Sequence, residues 1–326
     1  MTSRERFQQT MRYGRPDRVP YFEEGIRDEV LEVWRGQGMP PDIDLAHMFL
    51  FDRSEEIETD LEPRPTFRRW PTTRSELDAW RRRLDPYDPR RLPGGWRECV
   101  RAWQGRDHVL MLRVHDGFFL TMGVEDWARF AEVIYLLHDD PQFVRKAMAI
   151  QGEFAAVLAE RVLREVEVDA ALFSEPIGGN DRPLLSPRMY EEFVLSSYEP
   201  LLGVLRQYRV ETIILRTYAN ARALLPSVLK RGFNCLWACE VNLQAMDYRD
   251  LRREFGRDLR LIGGIDLDAL RQGKQAIRRE IMEKVVPLLA DGGYVPLADG
   301  RVRMDVPFEN YVYYRQLLQE VTPTST

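Results

Sequence analysis

The 326-residue chain is poor in the marks of several large protein classes. Cysteine is scarce, with only Cys99, Cys235 and Cys239. An odd, sparse set excludes a disulfide scaffold and fits a reducing compartment. There is no HExxH, no HxC pair and no CxxC, so no zinc signature is present. No GxGxxG follows a strand, which leaves nothing to suggest a dinucleotide fold. No apolar run approaches the ~20 residues of a membrane helix. The opening MTSRERFQQTMRYGRPDR is charged and has no apolar h-region, so no secretory signal is expected and a cytoplasmic location is. Basic residues are not in excess: 47 Lys and Arg stand against 52 Asp and Glu, a formal net charge of -5, which argues against nucleic acid as a partner. No repeat of solenoid period is visible.

What is present is a globular composition, 44% hydrophobic and 30% charged, with enough apolar residues for one large core. Thr2 with Glu5 three residues later forms a capping box that opens an N-terminal helix. From Arg106 onward, short apolar runs rich in β-formers alternate with amphipathic helices. The runs are 107–115, 169–176, 210–220, 233–240, 259–266 and 293–299. Helices follow from Pro141 toward Val166, from Pro187 to about Tyr208, over about 274–290 and over about 307–320. Further strands at 18–24 and near 45–52 bring the total to about eight units. Such alternation predicts a parallel sheet, and eight units predict one (β/α)8-barrel domain over 1–326, a length ordinary for that fold. Cys235, Trp237 and Cys239 share one strand face and read as buried small hydrophobes. Ser186-Pro187 reads as a helix cap followed by proline at the first helical position. Tyr311, Tyr313 and Tyr314 read as packing of the last helix.

The stretch 53–106 breaks the pattern. It is rich in Arg, Pro and Trp, and reads as an insertion or lid, with a helix capped by Thr73 and Glu76 that runs through Arg83. Its basic run, Arg81 to Arg83, reads as a solvated face.

Barrel enzymes work at the C-terminal ends of their strands. Those ends carry Glu23 and Glu24, Asp52, Arg113 and His115, Glu175, Arg216 with Thr217 and Asn220, Glu240, Asp266 and Asp299. Crowded carboxylates raise one another's pKa and arginines lower it, which separates acid from base roles. No resident cofactor is expected. If a divalent metal were held, His115, Glu175, Glu240, Asp266 and Asp299 would supply its oxygen-rich set. The two glycines of Gly263-Gly264 either let backbone approach a ligand or make a tight turn.

The same residues carry a family resemblance. RERFQQTMRYGRPDRVPYFEEG (4–25), LLSPRMYEEFV (184–194), LIGGIDLDAL (261–270) and GGYVPLADGRVRMDVPFENYVYY (292–314) resemble, in order and spacing, blocks of the uroporphyrinogen decarboxylase superfamily. That superfamily also holds corrinoid-dependent methyltransferases and many barrels without an assigned reaction. The resemblance implies a barrel, and a homodimer. True decarboxylases carry an arginine-rich RQAGRY after the first strand. Glu23-Glu24-Gly25-Ile26-Arg27 stands there, so one arginine remains and an octacarboxylate would be repelled. The catalytic aspartate of the decarboxylases corresponds to Asp52. The zinc methyltransferases carry H-x-C where Arg216 and Tyr218 stand. Of the D-x-D-G-N of other members only Asn220 agrees. Gly300, not histidine, follows Asp299, and a hairpin after Pro65 is missing.

Three readings follow. The first is acid/base carbon chemistry of decarboxylase or lyase type on a carboxylated small molecule other than uroporphyrinogen. In it Arg113, Arg216 and Arg301 hold the anion, with Arg27, Glu23, His115, Asn220, Glu240 and Asp266 around it. Asp52, Glu175 or Asp299 acts as the acid. The second is methyl transfer with a corrinoid protein as partner. The third is a non-catalytic barrel that binds a ligand or partner.

Overall fold

The computed structural model describes residues 1–41, 45–239 and 246–322. Seven strands occur among the described residues: β1 (Ser54–Glu58), β2 (Val109–His115), β3 (Ala170–Glu175), β4 (Thr212–Tyr218), β5 (Cys235–Cys239), β6 (Arg260–Ile265) and β7 (Tyr294–Ala298). β2 to β7 each lie inside an apolar run that predicts them. Helices separate them, so the α/β class stands. Seven strands rather than eight are seen among the described residues, and the start of the fold needs correction. Residues 18–24 form no ladder strand. Pro20 lacks an N–H, and the stretch is held not by a ladder but by a backbone bond from the Asp52 N–H to the Tyr21 carbonyl (2.9 Å) and by the Tyr21 N–H on the Asp52 carboxylate (2.7 Å). The 45–52 stretch holds a turn of helix, Leu45–Met48. The first strand is instead Ser54–Glu58, at the start of the stretch read as an insertion. Its sequence SEEIE buries Ile57 alone, so no apolar alternation announces it.

The chain gathers into two compact units. One comprises Met1–Ser54, Asp107–Val109 and Cys235–Thr326; the other comprises Glu55–Arg106 and Leu110–Asn234.

In the first unit β5, β6 and β7 run parallel in chain order, with Cys235 opposite Arg260 and Leu261 opposite Tyr294. All five residues of β5 and of β7 are buried, as expected of strands covered on both faces. The last helix, Phe308–Val321, buries Tyr311 and Tyr314 completely. Tyr311 packs on Trp34 and Phe49, with ring centroids 4.8 and 5.5 Å away. The glycine pair is explained by packing. Gly264 has φ +82°, and a Cβ there would sit 2.5 Å from the Tyr248 ring, whose hydroxyl donates to the Ile262 carbonyl (2.7 Å).

In the second unit β1 to β4 lie in chain order. Parallel ladders set Met111 opposite Ala170 and Glu175 opposite Thr217. Two strands lie between β1 and β4, yet Arg216 on β4 bonds Glu56 on β1 at 2.6 Å. Only a sheet that curls brings those side chains together. A long helix, Pro141–Leu163, is capped by the Asp140 carboxylate on the Phe143 N–H. The 53–106 stretch is built against this helix. Trp80 is fully buried and meets Phe67, Trp70 and Phe143 at 5.9, 5.4 and 6.3 Å. Arg91, 1% exposed, gathers the stretch by donating to the carbonyls of Asp60, Glu62, Arg83 and Asp85. Arg91→Lys keeps the charge but loses the planar fork. It is expected to cost about 2 kcal/mol of local stability and to speed protease cleavage between residues 60 and 91. Unchanged cleavage in limited proteolysis would remove Arg91 as the organiser.

Candidate functional site

The first unit carries an open cleft of about 610 Å³ with Ile26, Leu31, Met39, Leu45 and Phe51 on its apolar walls and Glu23, Asp52, Arg35 and Arg53 as its charged groups. A largely apolar concavity with a few converging polar groups is the ordinary form of a small-molecule site. The two acids in it differ. Glu23 accepts from the Tyr311 hydroxyl (2.7 Å) and the Glu24 N–H (3.1 Å). Burial pushes its carboxyl above the usual range, against the pull of Tyr311 and Arg315. Arg315, 1% exposed, lies behind the wall, its guanidinium 4.3 Å from the Phe51 ring. Asp52, 5% exposed, is instead saturated with donors. Arg6 and Arg18 each bond one of its oxygens at 2.5 Å, and the Tyr21 N–H reaches Oδ2 at 2.7 Å. Arg6 also bonds Asp17, the chief cause of its raised pKa. Burial thus makes Glu23 a weaker acid than an ordinary carboxyl, while Asp52 is tied into the wall by two arginines and a backbone N–H.

The other predicted residues of this unit lie apart from that cleft. Arg27 is exposed and stands 3.6 Å from Glu29. Asp266 caps the helix Leu267–Gln272 through the Asp268 N–H (2.8 Å) and receives no place in the cleft wall. Burial raises its pKa as well. Asp299 is 6% exposed just past β7, and Arg301 is exposed. Glu240 lies outside the described residues. The two strand cysteines are buried, and burial pushes the Cys235 thiol up to about 12. The Cys239 thiol faces Glu24 Oε1 at 3.3 Å, and the same oxygen accepts from Trp237 Nε1 at 2.8 Å.

In the second unit Glu175 closes β3 with no exposed surface. Its Oε1 accepts from the Phe118 N–H (2.9 Å), and its Oε2 from the hydroxyls of Tyr198 (2.6 Å) and Tyr190 (3.2 Å). The two tyrosines are eight residues apart. The wide π turn Tyr190–Leu195 between them adds the residue needed to bring both to one side of the helix. Burial lifts the Glu175 carboxyl to about 7 despite these donors. Gly117, at φ +82°, is required here, since a Cβ would stand 2.6 Å from both Glu175 Oε1 and the Ser174 carbonyl. His115 is fully buried, and burial lowers its pKa to about 3, so the ring is neutral. Its Nδ1 accepts from the Gly117 N–H (2.9 Å), which places the proton on Nε2, and Nε2 has no partner among the described residues. Arg216 is held by Glu56, and Arg113 by Asp116 at 2.5 Å. Asn220 makes a turn, donating to the Asp181 carbonyl (2.8 Å) and accepting from the Arg222 N–H (3.1 Å). Among the described residues no group of three or more His, Cys, Asp or Glu is arranged to hold a metal ion.

Sequence reasoning names Glu23, Arg113 and Glu175 but misses the partners that define them: Tyr311, Asp116, Tyr190 and Tyr198. Only Asp116 had a local signal, as the residue just past the end of β2.

The family described as uroporphyrinogen decarboxylase (URO-D) matches residues 124–313. The chain belongs to the uroporphyrinogen decarboxylase family. No curated protein matches it. In this uroporphyrinogen decarboxylase relative the matched stretch holds β3 to β7 and the start of the last helix, including Glu175 and Tyr311. Glu23, Asp52, β1 and β2 precede it.

Proposed function

We propose that this family member is an enzyme of decarboxylase or lyase type that acts on a small carboxylated molecule with an apolar body. The observation that carries this reading is Glu23, a carboxyl of raised pKa on the wall of an apolar cleft. When a substrate C–C bond breaks and carbon dioxide leaves, the electron pair stays on carbon. Glu23 donates the proton that forms the new C–H bond and is reprotonated from water. Arg35 and Arg53 supply the positive charge for a carboxylate. Two arginines suit one or two carboxylates and not the eight of uroporphyrinogen. The test begins with a thermal-shift screen of small carboxylates, followed by carbon dioxide release from those that bind. Glu23→Gln is expected to keep binding within a few-fold and to slow turnover about a hundredfold. Unchanged turnover in Glu23→Gln, or no carboxylate that binds, would overturn the assignment.

A further inference from the structure

The second unit contains a separate, more enclosed hollow of about 150 Å³, which the proposed chemistry does not use. One side comes from the end of β2 and the turns after it, with Arg113, Asp116, Thr121 and Glu125. The other comes from the 53–106 stretch, with Glu62, Phe67 and Trp70. The aromatic wall is built in. Gly123 has φ +77°, and a Cβ there would fall 2.0 Å from the Trp70 ring, so the ring packs against backbone at a distance that only glycine allows. Arg83 covers one face of Phe67 at 4.1 Å and fixes the ring. The lining has three carboxylates and one guanidinium, and that guanidinium is bound to Asp116. Thr121, 7% exposed, adds a hydroxyl with no hydrogen-bond partner among the described residues.

We propose that this hollow binds a small organic ammonium ion, with its apolar body against Trp70 and its charge facing Asp116, Glu62 and Glu125. A hollow of this size takes a molecule of benzene's dimensions, roughly six to eight non-hydrogen atoms. The excess of carboxylate rejects an anion and attracts a cation. An aromatic face beside those carboxylates adds cation–π attraction, which a neutral ligand does not gain. Burial already holds the Asp116 carboxyl above its ordinary pKa in spite of Arg113, and a second cation would relieve that cost.

The test uses three probes of one shape, isopentylammonium, isopentanol and isovalerate, titrated calorimetrically into the full chain at low salt. The ammonium is expected to bind more tightly than the alcohol, and isovalerate not to bind at this site. Glu62 and Glu125 are both exposed, so the double variant Glu62→Gln/Glu125→Gln keeps the fold. It is expected to bind the ammonium roughly fivefold more weakly. Trp70→Leu is expected to weaken it by a similar factor. Isopentanol binding as tightly as the ammonium, a double variant that titrates like the unaltered chain, or no ammonium binding would each overturn the proposal. Because Glu23 lies in neither the probe site nor the variants, failure here leaves the cleft assignment standing, and failure of Glu23→Gln leaves this one standing.

Discussion

Asp52→Ala is expected to lower the unfolding free energy by about 3–5 kcal/mol. Asp52 is 5% exposed and accepts from two guanidinium groups and a backbone N–H. Its removal leaves the half-buried Arg18 without that counter-charge, and leaves Arg6 with Asp17 as its carboxylate partner. Breaking one side of a buried pair costs more than the pair contributes, because the surviving charge stays out of water. The Tyr21 N–H also loses its acceptor, a further penalty for a buried donor. Asp52→Asn keeps the shape and one acceptor oxygen, and is expected to lose about half as much. Denaturant unfolding followed by tryptophan fluorescence checks both. A loss under about 1 kcal/mol in Asp52→Ala would mean that the two arginines find other partners or water.

The second large effect is a pH dependence set by Glu175. A carboxyl lifted from 4.5 to about 7 holds its proton more tightly in the folded chain than in the unfolded one. Below 4.5 both states carry the proton, and the group has no effect on stability. Between 4.5 and about 7 the folded state carries more bound protons, so stability falls as pH rises. Above about 7 the full cost is present, on the order of 3 kcal/mol. The sign is opposite to that of a carboxylate in an ion pair, which loses stability as pH falls. Glu175→Gln has no proton to lose. Its amide oxygen accepts from the Phe118 N–H, and its amide nitrogen donates to the tyrosine oxygens. Unfolding measured from pH 5 to pH 8 is expected to show the unaltered chain losing stability relative to Glu175→Gln across that range. Parallel curves would show that the carboxyl stays charged, or stays protonated, throughout.

Both effects come from residues whose position at strand or turn ends was legible, but whose state was not. The sequence places Glu175 after an apolar run and Asp52 in FLFD. Nothing local distinguishes a saturated anchor from a proton donor. That distinction belongs to Arg6 and Arg18 around Asp52, and to Tyr190 and Tyr198 around Glu175, none of which stands next to its partner in the chain. Glu23 is the reverse case: it is flanked by Glu24 and read as part of an acid-rich, repelling stretch, its carboxyl pKa is raised by burial, and its hydroxyl partner Tyr311 comes from the last helix, 288 residues away.

The alternation of strand and helix, the caps at Thr2, Thr73 and Ser186, and the burial of β2 to β7 were set by the sequence alone. These depend on spacing within one turn or one pleat, and local spacing is written in the chain. The tertiary structure alone decided that SEEIE is a strand, that 18–24 is not, and which charges are paired. A polar strand is stabilised by the ladder beside it, and a buried charge by a partner such as Glu56 for Arg216, 160 residues distant. Contacts at that separation leave no periodic trace, because folding and not sequence proximity brings them together.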